Sequence, residues 1–174
     1  RPVKMAGKIA TRFPVVPLLG RSGQQWIVVG DQTGVPAVLN AATGEFLWRN
    51  TTLGLGNISS FPVTQLLDYA NPEYRTTYSN VDLAIFATRN TSAQNQVVAL
   101  NAATGALIWR YRPGDLGMVS GGMLVDYTTN RLYVPTRTGT STATLRVLNS
   151  LTGAEVARLS LGDLLDLPSF TEVV

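Results

Sequence analysis

Short apolar runs recur along the chain, separated by polar or glycine-containing turns. Runs of about four to eight residues that are rich in Val, Leu, Ile and Thr favour β-strands over helices. We predict four strands within residues 12–48, four within residues 60–111 and four within residues 121–159. The pattern therefore predicts three successive units, each made of four strands with tight connections.

A similar hairpin closes each unit. Its clearest copy is Ala99-Leu-Asn-Ala-Ala-Thr-Gly-Ala-Leu-Ile-Trp109; an earlier copy spans Val38–Trp48, and a more divergent one spans Val147–Ala157. In every copy one apolar strand leads into Asn-x-x-Thr-Gly and a second leads out. Glycine suits the turn because a positive φ costs it little. The Asn and Thr side chains are expected to bond the backbone two residues further on.

The repeat sets the expected domain organisation. Residues 1–174 are predicted to form a single propeller segment, with blades at 8–50, 55–112 and 117–161 and with 162–174 as a linker or the start of another blade. Four-stranded antiparallel units in tandem are typical of β-propeller blades, whereas a β-helix has shorter, parallel rungs. A closed propeller usually has at least about four blades. We therefore expect an all-β, partial β-propeller of about three blades that is part of a larger ring.

The second unit is longer than the third because of a polar insertion at residues 70–80, predicted as a loop. Tyr74, Arg75 and Tyr78 lie in this insertion. Aromatic and arginine side chains dominate the hot spots of protein interfaces, so one interpretation is a partner contact on a protruding loop. The alternative is that the loop packs onto the surface of its own blade.

Composition excludes several kinds of site. Among the 174 residues, 45% are hydrophobic and 14% charged, the net charge is +3, and there is no His and no Cys. A Ser-His-Asp or Cys-His site, a Cys-ligated metal and a c-type haem are therefore excluded within these residues. There is no basic cluster, so nucleic-acid binding is not predicted. No apolar stretch is long enough for a membrane-spanning helix, so membrane insertion is not predicted either. Because the chain starts at Arg1 without Met, a processed or trimmed start is expected.

Several aspartates are candidate metal ligands. Asp68 and Asp126 each precede a tyrosine at equivalent positions, either as ligands facing a central channel or as turn caps, and their repetition favours caps. Asp31 is predicted to be a turn residue. Asp163 and Asp166 form an i, i+3 pair that is compatible with Ca²⁺, but no Asp-x-Asp-x-Asp-Gly pattern surrounds them. We assign no catalytic, cofactor-binding or metal-binding residue.

The hairpin resembles the repeat of quinoprotein-type β-propellers, also called the pyrroloquinoline-quinone-like repeat, with the pattern Ala-x-Asp-x-x-Thr-Gly-Lys/Glu-x-x-Trp. The second copy shares Ala99, Thr104, Gly105 and Trp109 and has Asn101 where the family usually has Asp. The first copy shares Thr43, Gly44, Glu45 and Trp48 and has Asn40 at the Asp position; the third keeps Thr152 and Gly153 but has Ala157 in place of Trp.

In that family the Trp stacks against the Thr-Gly turn of the next repeat. The resemblance therefore implies a blade-docking role for Trp48 and Trp109 and for the three Thr-Gly pairs, which are Thr43-Gly44, Thr104-Gly105 and Thr152-Gly153. It implies a fold rather than an activity, because the family contains both dehydrogenases and non-catalytic scaffolds.

The function expected first is a non-catalytic scaffold, interaction or adhesion module of a bacterial envelope or surface protein, located outside the cytoplasm and carrying no cofactor. Its partners would be the remaining blades, in the same or another chain, and a protein partner. A second interpretation is a fragment of a quinone-dependent dehydrogenase that binds pyrroloquinoline quinone and Ca²⁺ through other blades. A third is a structural subunit that completes its ring by self-association.

Overall fold

The computed structural model describes residues 4–9, 16–19, 23–58, 60–90, 94–119, 121–138 and 142–162, with only the backbone of 16–19. The described residues form three antiparallel β-sheets in chain order. The acidic pair Asp163 and Asp166 and nearly all of the predicted linker at 162–174 lie outside the described residues.

The first two sheets are meanders in which consecutive strands pair, and the third is a meander from its second strand onward. The first contains β1 (Val16–Leu19), β2 (Gln25–Gly30), β3 (Pro36–Asn40) and β4 (Phe46–Arg49). The second contains β5 (Val63–Gln65), β6 (Leu83–Ala87), β7 (Val97–Asn101) and β8 (Leu107–Tyr111). The third contains β9 (Met118–Val119), β10 (Leu124–Asp126), β11 (Arg131–Thr138), β12 (Thr142–Asn149) and β13 (Glu155–Gly162), and both β9 and β10 pair with β11.

The first strands of successive sheets lie beside each other: β5 contacts β1 on one side and β10 on the other. Sheets that converge through their first strands and diverge outward are arranged as propeller blades. The predicted fold class, an all-β partial β-propeller, is confirmed. The third blade differs in one detail, because its innermost position is shared by two short strands where the sequence predicted one.

Two apolar clusters fill the spaces between the sheets. The first junction, between the first and second sheets, buries Val28, Val38, Leu55, Ile58, Ala84, Phe86, Val98, Leu100 and Ala102. The second junction, between the second and third sheets, includes Ile85, Ala99, Trp109, Val119, Leu132, Val134 and Leu148. Both faces of the middle sheet are therefore buried, which explains why β6 and β7 are apolar almost throughout.

The insertion at residues 70–80 is helical, so its prediction as a loop was wrong. A 3₁₀ turn (Leu67–Tyr69) leads into helix α1 (Pro72–Thr77). Asn71 is the N-cap, and its side chain accepts a hydrogen bond of 3.0 Å from the backbone N–H of Tyr74. Asn at the N-cap followed by Pro at the first helical position is a strong helix-start signal. That signal was present in the sequence and was missed.

Candidate functional site: the junctions between the blades

The Asn-x-x-Thr-Gly turns share one geometry, which we describe as the first turn (residues 40–45), the second turn (101–106) and the third turn (149–154). In the second turn, Asn101 Oδ1 accepts from Ala103 N at 2.9 Å and from Thr104 N at 3.2 Å. Gly105 N donates to the Asn101 carbonyl at 2.8 Å, and Thr104 Oγ1 accepts from Ala106 N at 3.3 Å. The same four bonds recur in the first and third turns. The expected backbone bonding by Asn and Thr is confirmed.

At the first junction, Trp48 of β4 lies on the second turn. Its Nε1 donates to the carbonyl of Ala102 at 2.8 Å. A β-carbon built on Gly105 would lie 2.6 Å from Cε3 of Trp48, so the ring needs a residue without a side chain there. Asn50, two residues further on, donates through Nδ2 to the carbonyl of Gly105 at 3.0 Å. One strand end thus contacts the next blade through stacking and two hydrogen bonds.

At the second junction, Trp109 of β8 repeats this arrangement on the third turn. Its Nε1 donates to the carbonyl of Ser150 at 2.9 Å, and a β-carbon on Gly153 would lie 2.5 Å from its Cε3. Trp109 is 7% exposed. The glycines of both turns have positive φ, 73° at Gly105 and 74° at Gly153. At each of these two positions glycine is required for two reasons: the backbone has a positive φ, and the indole leaves no room for a β-carbon.

The outer edge of the second junction also carries a charged cluster, which no pattern in the sequence predicts. Arg146 of β12 is 3% exposed; it donates to the carbonyl of Asp115 at 2.8 Å and pairs with Glu155 at 3.0 Å. Arg158 pairs with Asp115 at 2.8 Å and with Glu155 at 2.9 Å. Asp115 precedes β9, whereas the other three residues belong to β12 and β13. No local sequence motif therefore indicates the cluster. It fixes the outer strands of the third blade to the preceding linker.

Ionisation in this cluster is strongly shifted. Desolvation raises the pKa of Glu155, but hydrogen bonds from Arg158, Tyr111 and Arg146 outweigh it and lower the pKa to about 2. Tyr111 donates its hydroxyl to Glu155. Desolvation and this hydrogen bond raise the pKa of Tyr111 to about 12. The cluster therefore holds a carboxylate and a neutral phenol at neutral pH, a structural ion-pair network rather than an acid-base pair.

The residues predicted to contact a partner are mostly engaged within the chain. Tyr74 is 0% exposed, and its hydroxyl donates to the carbonyl of Val81 at 2.7 Å. For Tyr74 the prediction of a partner contact was wrong, because the helix turns this ring into the core. Tyr78 donates its hydroxyl to the carbonyl of Leu151 in the third turn. Arg75 is exposed and donates to the carbonyls of Ala70 and Asp68.

The candidate ligand aspartates are placed in turns. Asp31 is 0% exposed and accepts from the backbone N–H groups of Gly7, Thr33 and Val35 and from the Thr33 hydroxyl. Burial disfavours the charge, but these hydrogen bonds prevail and lower the pKa of Asp31. Asp126 caps its turn by accepting from Thr128 N and from Thr129 N and Oγ1. Asp68, its sequence counterpart, instead lies exposed in the 3₁₀ turn.

A polar cleft of about 430 Å³ lies between the linker after the first blade and the β6–β7 connection. Its described lining consists of glycines, a leucine, amide side chains and one cation: Gly54, Leu55, Gly56, Asn57, Arg89, Asn90, Gln94 and Gln96. No carboxylate or tyrosine is part of that lining. Within the described ranges, no three His, Cys, Asp or Glu side chains are grouped as metal ligands. Nor does any described helix have the length and apolar character needed to cross a membrane.

Residues 81–156, which contain the second copy of the hairpin and most of the third, match a protein-family model described as outer membrane protein assembly factor BamB. No curated protein matches the sequence. The family match is thus confined to less than half of the chain, and it spans the second and third turns.

Similar solved structures include both enzymes and an assembly factor. Quinohemoprotein alcohol dehydrogenase from Comamonas testosteroni has 17% identity and a TM-score of 0.59, over 79% of this chain and 26% of that chain. BamB from Moraxella catarrhalis has 16% identity and a TM-score of 0.51, over 84% of this chain and 38% of that one. Quinohemoprotein alcohol dehydrogenase ADHIIG from Pseudomonas putida HK5 has 14% identity and a TM-score of 0.57, over 81% and 25%.

The chain therefore spans roughly a quarter to two-fifths of the length of these proteins, and at such identities the likeness shows the fold alone. The geometry of the three equivalent turns and the stacking of the two indoles are consistent with the family match. Residues 81–156 therefore resemble the pyrroloquinoline-quinone-like repeat, and the described residues share the β-propeller fold of these solved structures.

Proposed function

We propose that this chain is a non-catalytic β-propeller module of a bacterial envelope or surface protein, in which its blades hold further blades and a protein partner in place. The observation that carries the proposal is the repeated junction. The Trp, Asn, Thr and Gly residues that define the repeat are all used in turn formation or in contact between blades. The repeat thus builds a rigid support for loops and blade faces, which suits a scaffold.

The blade-docking residues of the proposal are Trp48 and Trp109 with the glycines on which they lie. Each indole joins an outer strand to the turn of the next blade; Trp109 is buried and Trp48 is partly buried, and large rings packed in this way contribute strongly to stability. The turns themselves are held by Thr43, Thr104 and Thr152 through their hydroxyls. A scaffold needs contacts of this kind, which hold its surface in a fixed arrangement and take part in no reaction.

The described carboxylates support a structural role. A Ca²⁺ site needs several oxygen ligands that are free to face the ion. Asp31 directs its oxygens at N–H and hydroxyl groups of its own turn and at the N–H of Gly7, and Asp126 directs its oxygens at groups of its own turn. Neither residue fits as a ligand for the Ca²⁺ of a quinone site, so we derive no catalytic step for these blades.

The description of the matching family, an outer membrane protein assembly factor, supports a protein partner and a place outside the cytoplasm. The alternative, a fragment of a quinone-dependent dehydrogenase, is favoured by the likeness to two quinohemoprotein alcohol dehydrogenases. In that case other blades would provide most of the ligands of the quinone and of Ca²⁺. The proposal and the alternative differ in whether the whole propeller that contains these blades binds the quinone.

The purified natural protein that contains this sequence can be titrated with pyrroloquinoline quinone with and without Ca²⁺, while the quinone absorbance and the melting temperature are followed. We expect no saturable, Ca²⁺-dependent change. Saturable binding would refute the non-catalytic role and favour the dehydrogenase fragment. Fractionation of cells that express the natural protein provides an independent check, since recovery in the cytoplasm would contradict an envelope role.

A further inference from the structure

The polar cleft of about 430 Å³ contains two amide side chains whose oxygens are unused hydrogen-bond acceptors. Asn57 Oδ1 and Gln96 Oε1 are buried, and neither atom has a hydrogen-bond partner among the described residues. Because buried polar atoms are nearly always paired, two unpaired acceptors in one place require an explanation. Both residues line the cleft, so a molecule that binds there would provide the missing donors.

The orientation of the Gln96 amide follows from its neighbours. Its Nε2 donates to the carbonyl of Leu55 at 3.2 Å and to the carbonyl of Gly54 at 3.5 Å. A carbonyl only accepts, so the nitrogen must face these two residues and the oxygen must face away from them. Gln96 is 2% exposed, and bulk water therefore does not relieve the cost of its unpaired oxygen.

Asn57 contributes to the fold through its backbone. Its N–H donates to Asn90 Oδ1 at 2.8 Å, and its carbonyl accepts from the backbone N–H of Arg89 at 2.9 Å. These two bonds hold the residue in place, whereas its Oδ1 accepts from no group in the part of the chain that the structure describes. The carboxamide is therefore available for a ligand, and its terminal torsion turns easily.

The same cleft contains a cation without a counter-ion. Arg89 lies in the β6–β7 connection, its side chain is exposed, and none of the described carboxylates pairs with it. A guanidinium binds a carboxylate through two parallel hydrogen bonds, which are stronger than bonds between neutral groups. Gln94, also exposed and part of the lining, adds an amide that both donates and accepts.

These groups favour a ligand that carries both hydrogen-bond donors and a negative charge. A simple carboxylate such as acetate has no donor for the amide oxygens, and a neutral sugar has no charge for Arg89 to neutralise. Hydroxyl groups donate and accept, so a carboxylate that also carries several hydroxyls meets both requirements. Leu55 is the one apolar side chain of the described lining and is 1% exposed, which leaves little surface for an aliphatic or aromatic ligand.

We propose that this cleft binds a polyhydroxylated carboxylate, that is, a sugar acid. The carboxylate pairs with Arg89, and the hydroxyl groups donate to Asn57 Oδ1 and Gln96 Oε1. A small rotation of the Asn57 carboxamide directs its oxygen at the incoming hydroxyl. The proposal goes beyond the proposed function and does not depend on it, because a scaffold and a dehydrogenase fragment are equally compatible with such a site.

The test is calorimetric titration of the purified natural protein that contains this sequence with sodium glucuronate and sodium galacturonate. We expect weak, saturable binding of at least one of them. Glucose, which lacks the carboxylate, and acetate, which lacks the hydroxyls, should bind at least about tenfold more weakly. Trigalacturonate distinguishes the two sources of this chemistry: tighter binding than galacturonate indicates an acidic glycan, and equal binding indicates a free sugar acid.

Two variants locate the binding in the cleft. Arg89→Gln and Asn57→Ala should each weaken it by about tenfold and leave the melting temperature unchanged, because no described hydrogen bond depends on either side chain. Arg112→Gln and Asn80→Ala are the matched controls, since they remove an exposed cation and an exposed amide outside the described lining. Both should retain the affinity.

Three results would overturn the proposal: no saturable binding of either sugar acid, equal binding of glucose or acetate, or unchanged affinity in both cleft variants. A lower melting temperature of Asn57→Ala would also count against it, because the carboxamide would then be needed by the fold. None of these results alters the quinone titration, which tests the proposed function separately.

Discussion

The six-membered ring of Trp48 lies so close to Gly105 that a β-carbon on this glycine would be 2.6 Å from Cε3 of the indole. Contact between these two residues joins the first blade to the second, and it explains why the repeat combines a glycine in a turn with a Trp one repeat earlier. Gly153 and Trp109 have the same relationship.

Alanine at Gly105 should therefore be much more harmful than alanine at Gly44. Both glycines have positive φ, which costs an L-residue about 1–2 kcal/mol. At Gly105 the added methyl also collides with a packed ring, for which overpacking typically costs about 1–3 kcal/mol more. Chemical unfolding of Gly105→Ala and Gly44→Ala measures the difference. Equal losses of unfolding free energy would show that Trp48 does not depend on the missing side chain.

Truncation of Trp109 should destabilise the chain by about 3–5 kcal/mol, because a large, almost fully buried ring leaves a cavity. Trp109→Phe should cost less, since most of the ring remains, but it loses the 2.9 Å bond to the Ser150 carbonyl. Leu107→Ala is the matched control on the same strand, where the side chain is 43% exposed. A Trp109→Ala variant as stable as Leu107→Ala would contradict the docking role.

Removal of the Tyr74 hydroxyl should cost about 1–2 kcal/mol, because the Val81 carbonyl loses a buried donor. Tyr69→Phe is the control, since this ring is 73% exposed and water replaces its hydroxyl. Thermal unfolding of the two variants compares them directly. If Tyr74→Phe melted like the control, the ring of helix α1 would not be anchored in the core.

The Glu155 carboxylate should stabilise the chain only above acidic pH. Its pKa is about 2 in the folded state, against an ordinary value of 4.5. A carboxylate with a lowered pKa contributes stability above the unfolded-state value, and this stability is lost as the pH falls toward the folded-state value. Glu155→Gln should thus be less stable than the unmodified chain at pH 7.

The stability difference between Glu155→Gln and the unmodified chain should shrink as the pH falls from about 4.5 toward 2. Urea unfolding of both proteins at pH 7 and pH 3 gives the two differences. A difference that is the same at both pH values would mean that the ion pairs with Arg146 and Arg158 do not determine the ionisation of Glu155.

Local signals predicted the fold well. Strand runs and the Asn-x-x-Thr-Gly turns depend on neighbouring residues, so the turn bonds of Asn101 and Thr104 could be predicted from the sequence. Contacts between distant segments could not. Arg146 and Asp115 lie in different elements, and nothing in their immediate neighbourhoods indicates that they meet.

The insertion shows a third situation. The Asn71-Pro72 pair signalled a helix locally, but a polar composition suggested an exposed loop, and the burial of Tyr74 became visible only in the folded chain. Composition describes the average residue of a segment and not the one side chain that enters the core.

The helix in the second blade also has a consequence for how the chain unfolds. Asn71 donates to the Thr128 carbonyl, Glu73 accepts from Asn130 and Tyr78 donates to the Leu151 carbonyl, so the helix bridges the second and third blades in addition to Trp109. In a repeat protein, cooperativity depends on the strength of each nearest-neighbour interface. The second and third blades should therefore behave as one cooperative unit, and the first blade as the one that frays. Amide hydrogen exchange would then be fastest in β2 and β3, a gradient of protection produced by one short insertion.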